Sequence, residues 1–389
     1  RSLSARGPKR LHCNGSARIE AARVLAQVRG ARACASQKCN IDREGESHTR
    51  YHPAGLTPAK RLLPLAEFGS KSEFLQHAQR LYSSITSHSA WCKLLTRLQS
   101  VSTREAVRLI AVSQPGAGAW LNAVPKHAPF RLPTCHMRVA VQRRLGLPLL
   151  AAAGSLDRRS VHGMAFDCYG DVAQNDGEAG HQTRHYLVLE AVAKVIKSVW
   201  GGRVRPEPQD YASYSTTRPD IAALGCGPNG QMMLGDTKIW DPVGGDGLAN
   251  VRGAYVAMGN TRPAARAQVH GLRRRGDPSA SVWDWSAGSG FVPETDGQYT
   301  KAAELGCDVW CLLFETFGGF SPEVMALLKA LTEERQNKLN SSEYDLTTWA
   351  ARTWMSFSVQ KISVAVQMAS TGEIINLAWR LRAGGGHED

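Results

Sequence analysis

Hydrophobic residues recur at helical spacing in the first patterned part of the chain, from about residue 57 to 112. The large apolar positions there are Leu62, Leu65, Phe68, Phe74, Leu81, Leu94, Leu98 and Ile110. Steps of three and four residues are typical of one face of a helix. Pro and Gly interrupt the pattern at residues 113–120. A further helix is predicted at about residues 137–145.

A second patterned region begins near residue 160 and combines a long helix with strands. His181–Trp200 is predicted to be a helix, because Val188, Val192 and Val195 lie on one face. A pair of glycines ends this helix. The pattern next predicts three strands, a short helix, a strongly apolar strand and further helices, at residues 204–207, 220–224, 232–240, 299–305, 308–315 and from 322 onward.

This order of elements predicts an α/β fold with a mixed sheet flanked by helices. We expect three regions along the chain. Residues 1–58 hold few large apolar residues and are predicted to be a disordered basic segment. Residues 59–150 form a helical region, and residues 160–389 form the domain that contains the sheet and the C-terminal helices.

The charge balance points to a polyanionic partner. The chain has 47 Lys and Arg against 34 Asp and Glu, which gives a net charge of +13 over 389 residues. Nucleic acid is the polyanion that such an excess favours, because each neutralised phosphate releases counterions. No apolar run approaches the roughly 18 residues of a membrane-spanning helix, so we expect no membrane partner. The chain opens with Arg1, and we expect it to belong to a longer reading frame.

The nine cysteines are odd in number and scattered, with no Cys-x-x-Cys pair. They predict neither a disulfide framework nor a standard zinc site, and we expect reduced thiols in an intracellular protein. Cys168 has His162, His181 and His185 in its neighbourhood of the sequence. Their irregular spacing makes a zinc site the less favoured interpretation.

Three residues on two neighbouring predicted strands carry the candidate chemistry. Asp220 opens one strand after Pro219, and Asp236 and Lys238 lie two residues apart on the next strand. Residues two apart on a strand point to the same face, and a hairpin would bring Asp220 there too. Two close carboxylates repel, and a hard divalent cation relieves that repulsion. A lysine beside such a cation suits phosphodiester hydrolysis.

The motif Pro219-Asp220, followed by Asp236-Thr237-Lys238, resembles the PD-(D/E)XK or restriction-endonuclease-like nucleases. The resemblance covers about residues 181–316 and implies their α-β-β-β-α-β sheet. It implies that Asp220 and Asp236 hold Mg²⁺ or Mn²⁺, with the Thr237 carbonyl as a third ligand. Lys238 would position or activate water, and Glu190 in the preceding helix would complete the site.

A second resemblance rests on longer segments, and it covers about residues 113–389. Residues 113–125, 143–148, 180–185, 218–220 and 314–322 are similar to the segment downstream of the reverse transcriptase in retroelement-derived proteins. No Tyr-x-Asp-Asp motif of a polymerase is present. The resemblance therefore implies fusion to, or descent from, a reverse transcriptase. The sequence predicts no particular oligomeric state.

Basic residues outside the motif are candidates for contacting the nucleic-acid backbone. They are Arg184 and His185 at the start of the predicted helix, and Arg262, Arg266, Arg273, Arg274 and Arg275 in the densest basic stretch. We expect the nucleic acid to be DNA and the protein to be located in the nucleus.

Plainer interpretations stay open for each group. Asp236 and Lys238 could form a simple salt pair, and Glu190 could belong to a solvated stripe with Lys194. The alternative function is a catalytically inactive nucleic-acid-binding protein on the same fold.

Overall fold

The computed structural model describes the part of the chain that follows residue 70, with gaps. The described residues are 71–156, 158–176, 180–208, 218–243, 261–274, 276, 278–279, 291–347 and 351–384. All of them belong to one compact unit, Arg50–Asp389. The predicted disordered segment 1–58 lies outside the described residues.

The centre of the fold is a four-stranded mixed sheet. Its strands are β1 (Val204–Pro206), β2 (Ile221–Ala223), β3 (Met233–Trp240) and β4 (Asp308–Glu315), and they lie in the order β1-β2-β3-β4. β1 with β2 and β2 with β3 are antiparallel, whereas β3 with β4 is parallel. The predicted α/β class and the predicted mixed sheet are confirmed.

Helices surround this sheet in the described residues. They are α1 (Lys71–Val101), α2 (Thr103–Val112), α3 (Thr134–Leu145), α4 (Asp171–Asn175), α5 (His181–Trp200), α6 (Thr261–His270), α7 (Thr300–Glu304), α8 (Pro322–Glu334), α9 (Ser341–Leu346) and α10 (Trp354–Gly384). Local signals set several of the ends. The side chain of Ser321 accepts a hydrogen bond from the Val324 amide, and Pro322 occupies the first turn of α8. Gly146 ends α3 in the left-handed region at φ 70°.

The two faces of the sheet pack against different helices. Ile221, Met233 and Leu312 lie in the larger core, which α5, α8 and α10 cover. Ala222, Leu234 and Leu313 lie in the smaller core, which α6 and α7 cover. Side chains alternate between the faces of a strand, so the even positions of β3 face the smaller core.

Helix α6 lies in a basic stretch for which the sequence pattern predicted no element. Its buried positions are Thr261, Ala265 and Val269, four residues apart. Only one of the three is a large apolar residue, so the stripe is weak in hydrophobicity although its spacing is helical. Because arginines are numerous in this stretch, the helical spacing of the three buried positions is not evident from the sequence.

Helix α10 is buried along most of its length and joins the N-terminal helices to the sheet domain. It carries small polar residues that face other parts of the fold. The hydroxyl of Ser363 donates to the Gly116 carbonyl and accepts from the Trp120 amide. The Gln174 side chain of α4 donates to the Ser370 carbonyl. These bonds satisfy backbone groups in a region from which water is excluded.

Buried ion pairs lie beyond the carboxyl ends of β3 and β4. The Arg143 guanidinium lies 3.5 Å from Asp241 Oδ1, and the same oxygen accepts from the Thr316 hydroxyl. The Arg184 guanidinium donates to Glu373 at 2.6 Å and to the Ile239 carbonyl. A buried charge requires a partner of this kind, because desolvation otherwise opposes folding. The Asp241 side chain is therefore an internal group.

No helix in the described ranges combines the length and the apolar character that a membrane crossing needs.

The carboxyl group of Glu315 makes folding stability depend on pH. Glu315 is 2% exposed, and burial raises its pKa to about 7. The folded protein therefore holds the Glu315 proton more tightly than the unfolded chain, whose carboxyl keeps the ordinary value near 4.5. Stability is then lost as the pH rises from about 4.5 to about 7, by roughly 3 kcal/mol at most. Burial also raises the pKa of Glu373 to about 7, so Glu373 contributes in the same direction.

We expect Glu315→Gln to lose part of this pH dependence, because the amide does not titrate. Urea unfolding at pH 5 and pH 8 measures the difference for the wild type and the variant. Glu333→Gln is the control, because Glu333 is 70% exposed in a loose pair with Lys329. Equal pH dependence in Glu315→Gln and the wild type would contradict the assignment.

Candidate functional site

The hairpin of β2 and β3 brings the two predicted carboxylates to neighbouring positions. Ile221 pairs with Gly235, so Asp220 and Asp236 are next in the register. The ladder ends there, and the side chain of Asp220 takes the place of a backbone partner. Its Oδ2 accepts a hydrogen bond from the Thr237 amide at 2.6 Å. The short β2 strand is therefore preceded by a carboxylate that is fixed against β3.

Asp236 is the most deeply buried carboxylate of this group, at 5% exposure. The Lys238 ammonium lies 2.8 Å from its Oδ2, and the Tyr299 hydroxyl donates to its Oδ1 at 3.2 Å. Burial raises the pKa of Asp236, Lys238 opposes that change, and the charge of Asp220 adds to it. Asp236 and Lys238 thus share one face of β3, as the spacing of two predicted, and they form the salt pair that we had weighed as the plainer interpretation.

Two consecutive residues between α6 and α7 contact Lys238 and Asp236. The side-chain oxygen of Gln298 accepts from Lys238 at 3.3 Å, and Tyr299 contacts Asp236. Gly271 and Gly297 make their position possible, because a Cβ on Gly297 would lie 2.1 Å from the Gly271 nitrogen. The backbone segments cross without space for any side chain. Backbone bonds from Gln298 and Tyr299 to the end of α6 hold the crossing.

His185 joins the group from the first turns of α5. Its Nε2 lies 2.9 Å from Oδ2 of Asp220. The hydrogen bond to Asp220 raises the pKa of His185, although burial acts in the opposite direction. The side chain is 29% exposed, which makes it more accessible than Asp220 or Lys238. His185 is therefore the most exposed of these four polar side chains, and it contacts one of the two carboxylates.

Glu190 lies elsewhere, although it belongs to the same helix as His185. Its side chain is 62% exposed and pairs with Lys194 at 2.6 Å. Its charge also acts on Lys361 of α10. The prediction that Glu190 completes the site is not supported by this geometry. The i, i+4 pair with Lys194 is the arrangement that the alternative interpretation described.

Arg184 is a correction to the predicted nucleic-acid contacts. It is 6% exposed, and its guanidinium binds Glu373 and the carbonyls of Gln174 and Ile239. A guanidinium with these internal partners is not available to a phosphate on the surface. The sequence placed Arg184 at a helix start, but it did not show that Glu373 comes from α10, almost two hundred residues later.

The basic stretch divides into paired and exposed arginines. Arg262 and Arg266 both contact Glu323 of α8, and each contact has a closest N–O distance of 2.8 Å. Arg273 and Arg274 are exposed, and the guanidinium of Arg274 lies 5.9 Å from the ring centre of Phe291. Arg275 lies outside the described residues.

A metal site made only of side chains is not formed in the described ranges. Within them, no group of three or more His, Cys, Asp or Glu side chains has a geometry suited to a metal ion. His162 lies 3.6 Å from Asp176, and His185 contacts Asp220, so two of the three histidines near Cys168 have separate partners. The less favoured zinc interpretation gains no support from this arrangement.

The sequence alone did not identify Lys238 and Asp236 as the contacts of Gln298 and Tyr299. A faint signal was present: a polar Gln and an aromatic residue directly precede the short helix before β4. The sequence also did not identify Asp220 as the partner of His185, because the two residues belong to different elements.

Comparisons with family models, with curated protein sequences and with solved structures gave no match. The geometry of the residues themselves therefore carries the functional argument.

Loss of the Tyr299 hydroxyl should destabilise the fold. Tyr299 is 1% exposed, and Tyr299→Phe removes a donor from a buried carboxylate while keeping the ring. We expect the free energy of unfolding to fall by about 1–3 kcal/mol at neutral pH, because a buried carboxylate is left with one hydrogen-bond donor fewer. Urea unfolding measures this loss.

Tyr344→Phe is the matched control, because the Tyr344 side chain belongs to a residue that is 70% exposed. A Tyr299→Phe protein as stable as the control would show that the contact with Asp236 has no energetic role.

Proposed function

We propose that this chain is a metal-dependent endonuclease-like enzyme of retroelement origin, which hydrolyses phosphodiesters in DNA. The observation that carries the proposal is the convergence of Asp220, Asp236 and Lys238 at the end of the β2–β3 hairpin. The order of helix α5, three strands, helices α6 and α7 and β4 also supports a restriction-endonuclease-like fold. The net charge of +13 supports a nucleic-acid substrate.

The donor atoms suit Mg²⁺ or Mn²⁺. Asp236 and Asp220 are close enough for the charge of one to raise the pKa of the other. In the described residues, Oδ1 of Asp220 accepts no hydrogen bond, which leaves it free for a ligand role. The amide and the carbonyl of a strand residue face the same neighbouring strand, so the Thr237 carbonyl faces the side of Asp220. Asp220, Asp236 and the Thr237 carbonyl would hold the ion.

A bound divalent ion would supply a more acidic water and would stabilise charge on the phosphate. The chain's own residues would do the rest. Lys238 presents an ammonium that Asp236 and Gln298 orient, and this charge suits an anionic phosphate oxygen. His185, which contacts Oδ2 of Asp220, is more exposed than Asp220 and Lys238 and would suit proton transfer to a leaving oxygen.

The rival function is nucleic-acid binding without catalysis, and one feature favours it. Asp220 already has two hydrogen-bonding partners, and Asp236 has Lys238 and Tyr299. Carboxylates with these internal partners are stable without a cation. The two functions therefore differ in whether a divalent ion binds and whether phosphodiesters are cleaved.

Metal binding is expected to raise thermal stability in a way that depends on the two carboxylates. Mn²⁺ at millimolar concentration should raise the Tm of the wild type by a few degrees, because a ligand that binds only the folded state stabilises it. Asp236→Asn and Asp220→Asn should lose this rise. Asp308→Asn is the control, because Asp308 begins β4 on the opposite face and pairs with Trp310. The same rise in all three variants would argue against this ion site.

Catalysis is tested by nicking of supercoiled plasmid with increasing Mn²⁺. Lys238→Ala should reduce the rate by about 100-fold or more, since a positioned charge at a transferring phosphoryl group is typically worth that much. Lys329→Ala is the control, because Lys329 is 76% exposed on α8. Equal nicking by the wild type and Lys238→Ala would reject the catalytic role, and absence of nicking by the wild type would favour the inactive binder.

A further inference from the structure

Two arginines of α6 share one carboxylate of α8. The Arg262 guanidinium contacts both oxygens of Glu323 through Nε, at 3.1 and 3.2 Å, and donates from Nη2 at 2.8 Å. Arg266 donates from Nη1 to the same Oε1 at 2.8 Å. Two cations on one anion leave one positive charge uncompensated. Arg266 is 50% exposed and Arg262 is 30% exposed, so this charge lies at the surface.

Helix α6 carries both arginines and packs on the face of the sheet that holds the candidate active site. Its Ala265 and Val269 lie in the smaller core together with Cys311, which pairs with Asp236 in the β3–β4 register. Arg262 and Arg266 therefore belong to a helix that covers the face of Asp236 and Lys238.

The unused donors of the pair suit a phosphate group. Among the described residues, Nη1 of Arg262 and both Nε and Nη2 of Arg266 make no hydrogen bond. Arginine presents its N–H groups in a planar fork, which matches the oxygens of a phosphate. The Glu323 carboxylate already accepts hydrogen bonds from the other N–H groups of the two arginines, which a phosphate oxygen could otherwise use.

We propose that Arg262 and Arg266 form a binding site for a backbone phosphate of the nucleic acid, and that Glu323 is its built-in competitor. This inference rests on the nucleic-acid substrate of the proposed function. Glu323 keeps the arginines compensated while no substrate is bound, and an incoming phosphate shares or replaces it. The Glu323 carboxylate thereby weakens binding at the site and sets its affinity.

The experiment measures binding of a fluorescein-labelled DNA duplex by fluorescence anisotropy, in EDTA so that cleavage does not contribute. Glu323→Gln should bind about three- to tenfold more tightly at low salt, because the competing charge is removed and the side chain keeps its shape. Arg266→Ala should bind more weakly, and the slope of log affinity against log salt should fall by about one.

Glu333→Gln is the matched control for charge. It makes the same change on the same helix, in a pair with Lys329 at 3.8 Å. Tighter binding by Glu323→Gln than by Glu333→Gln, together with weaker binding by Arg266→Ala, supports the site. Equal affinities of the two glutamine variants, or an unchanged affinity of Arg266→Ala, would overturn it.

The binding result is separable from the nuclease assay. If Arg266→Ala and Glu323→Gln respond as expected while the wild type fails to nick plasmid, the phosphate site stands and catalysis is rejected. If the wild type nicks plasmid in a Lys238-dependent manner while the affinities do not change, the nuclease stands and the phosphate site is rejected. Thermal unfolding of each variant verifies that α6 and α8 remain packed.

Discussion

The antiparallel pairing of β2 with β3 is the constraint on which the candidate site depends. β2 is only three residues long, and it begins directly after Asp220, whose side chain replaces a backbone acceptor for the Thr237 amide. A shift of this register by one residue would turn Asp236 and Lys238 to the opposite face of the sheet. Gly235, opposite Ile221, has the Leu312 side chain 3.1 Å from its ideal Cβ position. The close packing around Gly235 therefore helps to hold the register.

Buried charged side chains are a second feature of the fold, and they are paired with side chains of opposite charge. Asp236 has Lys238 and Tyr299, Arg184 has Glu373, and Arg143 has Asp241. Pairing does not remove all of the cost, because burial still raises the pKa of Asp236 and of Glu373. Such groups are typical of functional sites, but structural ion pairs perturb pKa values as well. The location of a perturbed group therefore decides which explanation applies.

The position in the fold distinguishes the residues of the candidate site from the structural ion pairs. Asp236, Lys238 and His185 lie together at the open end of a short hairpin, and two of them retain some exposure. Arg184 and Glu373 lie between α5 and α10, with almost no exposure. The first arrangement is partly exposed, and it supports the proposed chemistry. The second joins helices that are far apart in the sequence, and it supports the fold.

The sequence by itself determined the class of fold and the centre of the candidate site. Alternation along β3 placed Asp236 and Lys238 on one face, and the apolar runs of α5 and β4 predicted those elements with their observed bounds. These inferences depend on local periodicity, which a single segment carries in full. The weak stripe of α6 escaped detection because its buried positions include a threonine and an alanine.

Only the tertiary structure decided which partner each charged residue has. Glu190 turned out to pair with Lys194, Arg184 with Glu373, and Arg262 and Arg266 with Glu323. Gln298 and Tyr299 reach β3 because two glycines let the backbone cross after α6. Partners separated by tens or hundreds of residues leave no periodic trace in the sequence. Their contacts arise from packing of whole elements, and the sequence of any one element does not specify them.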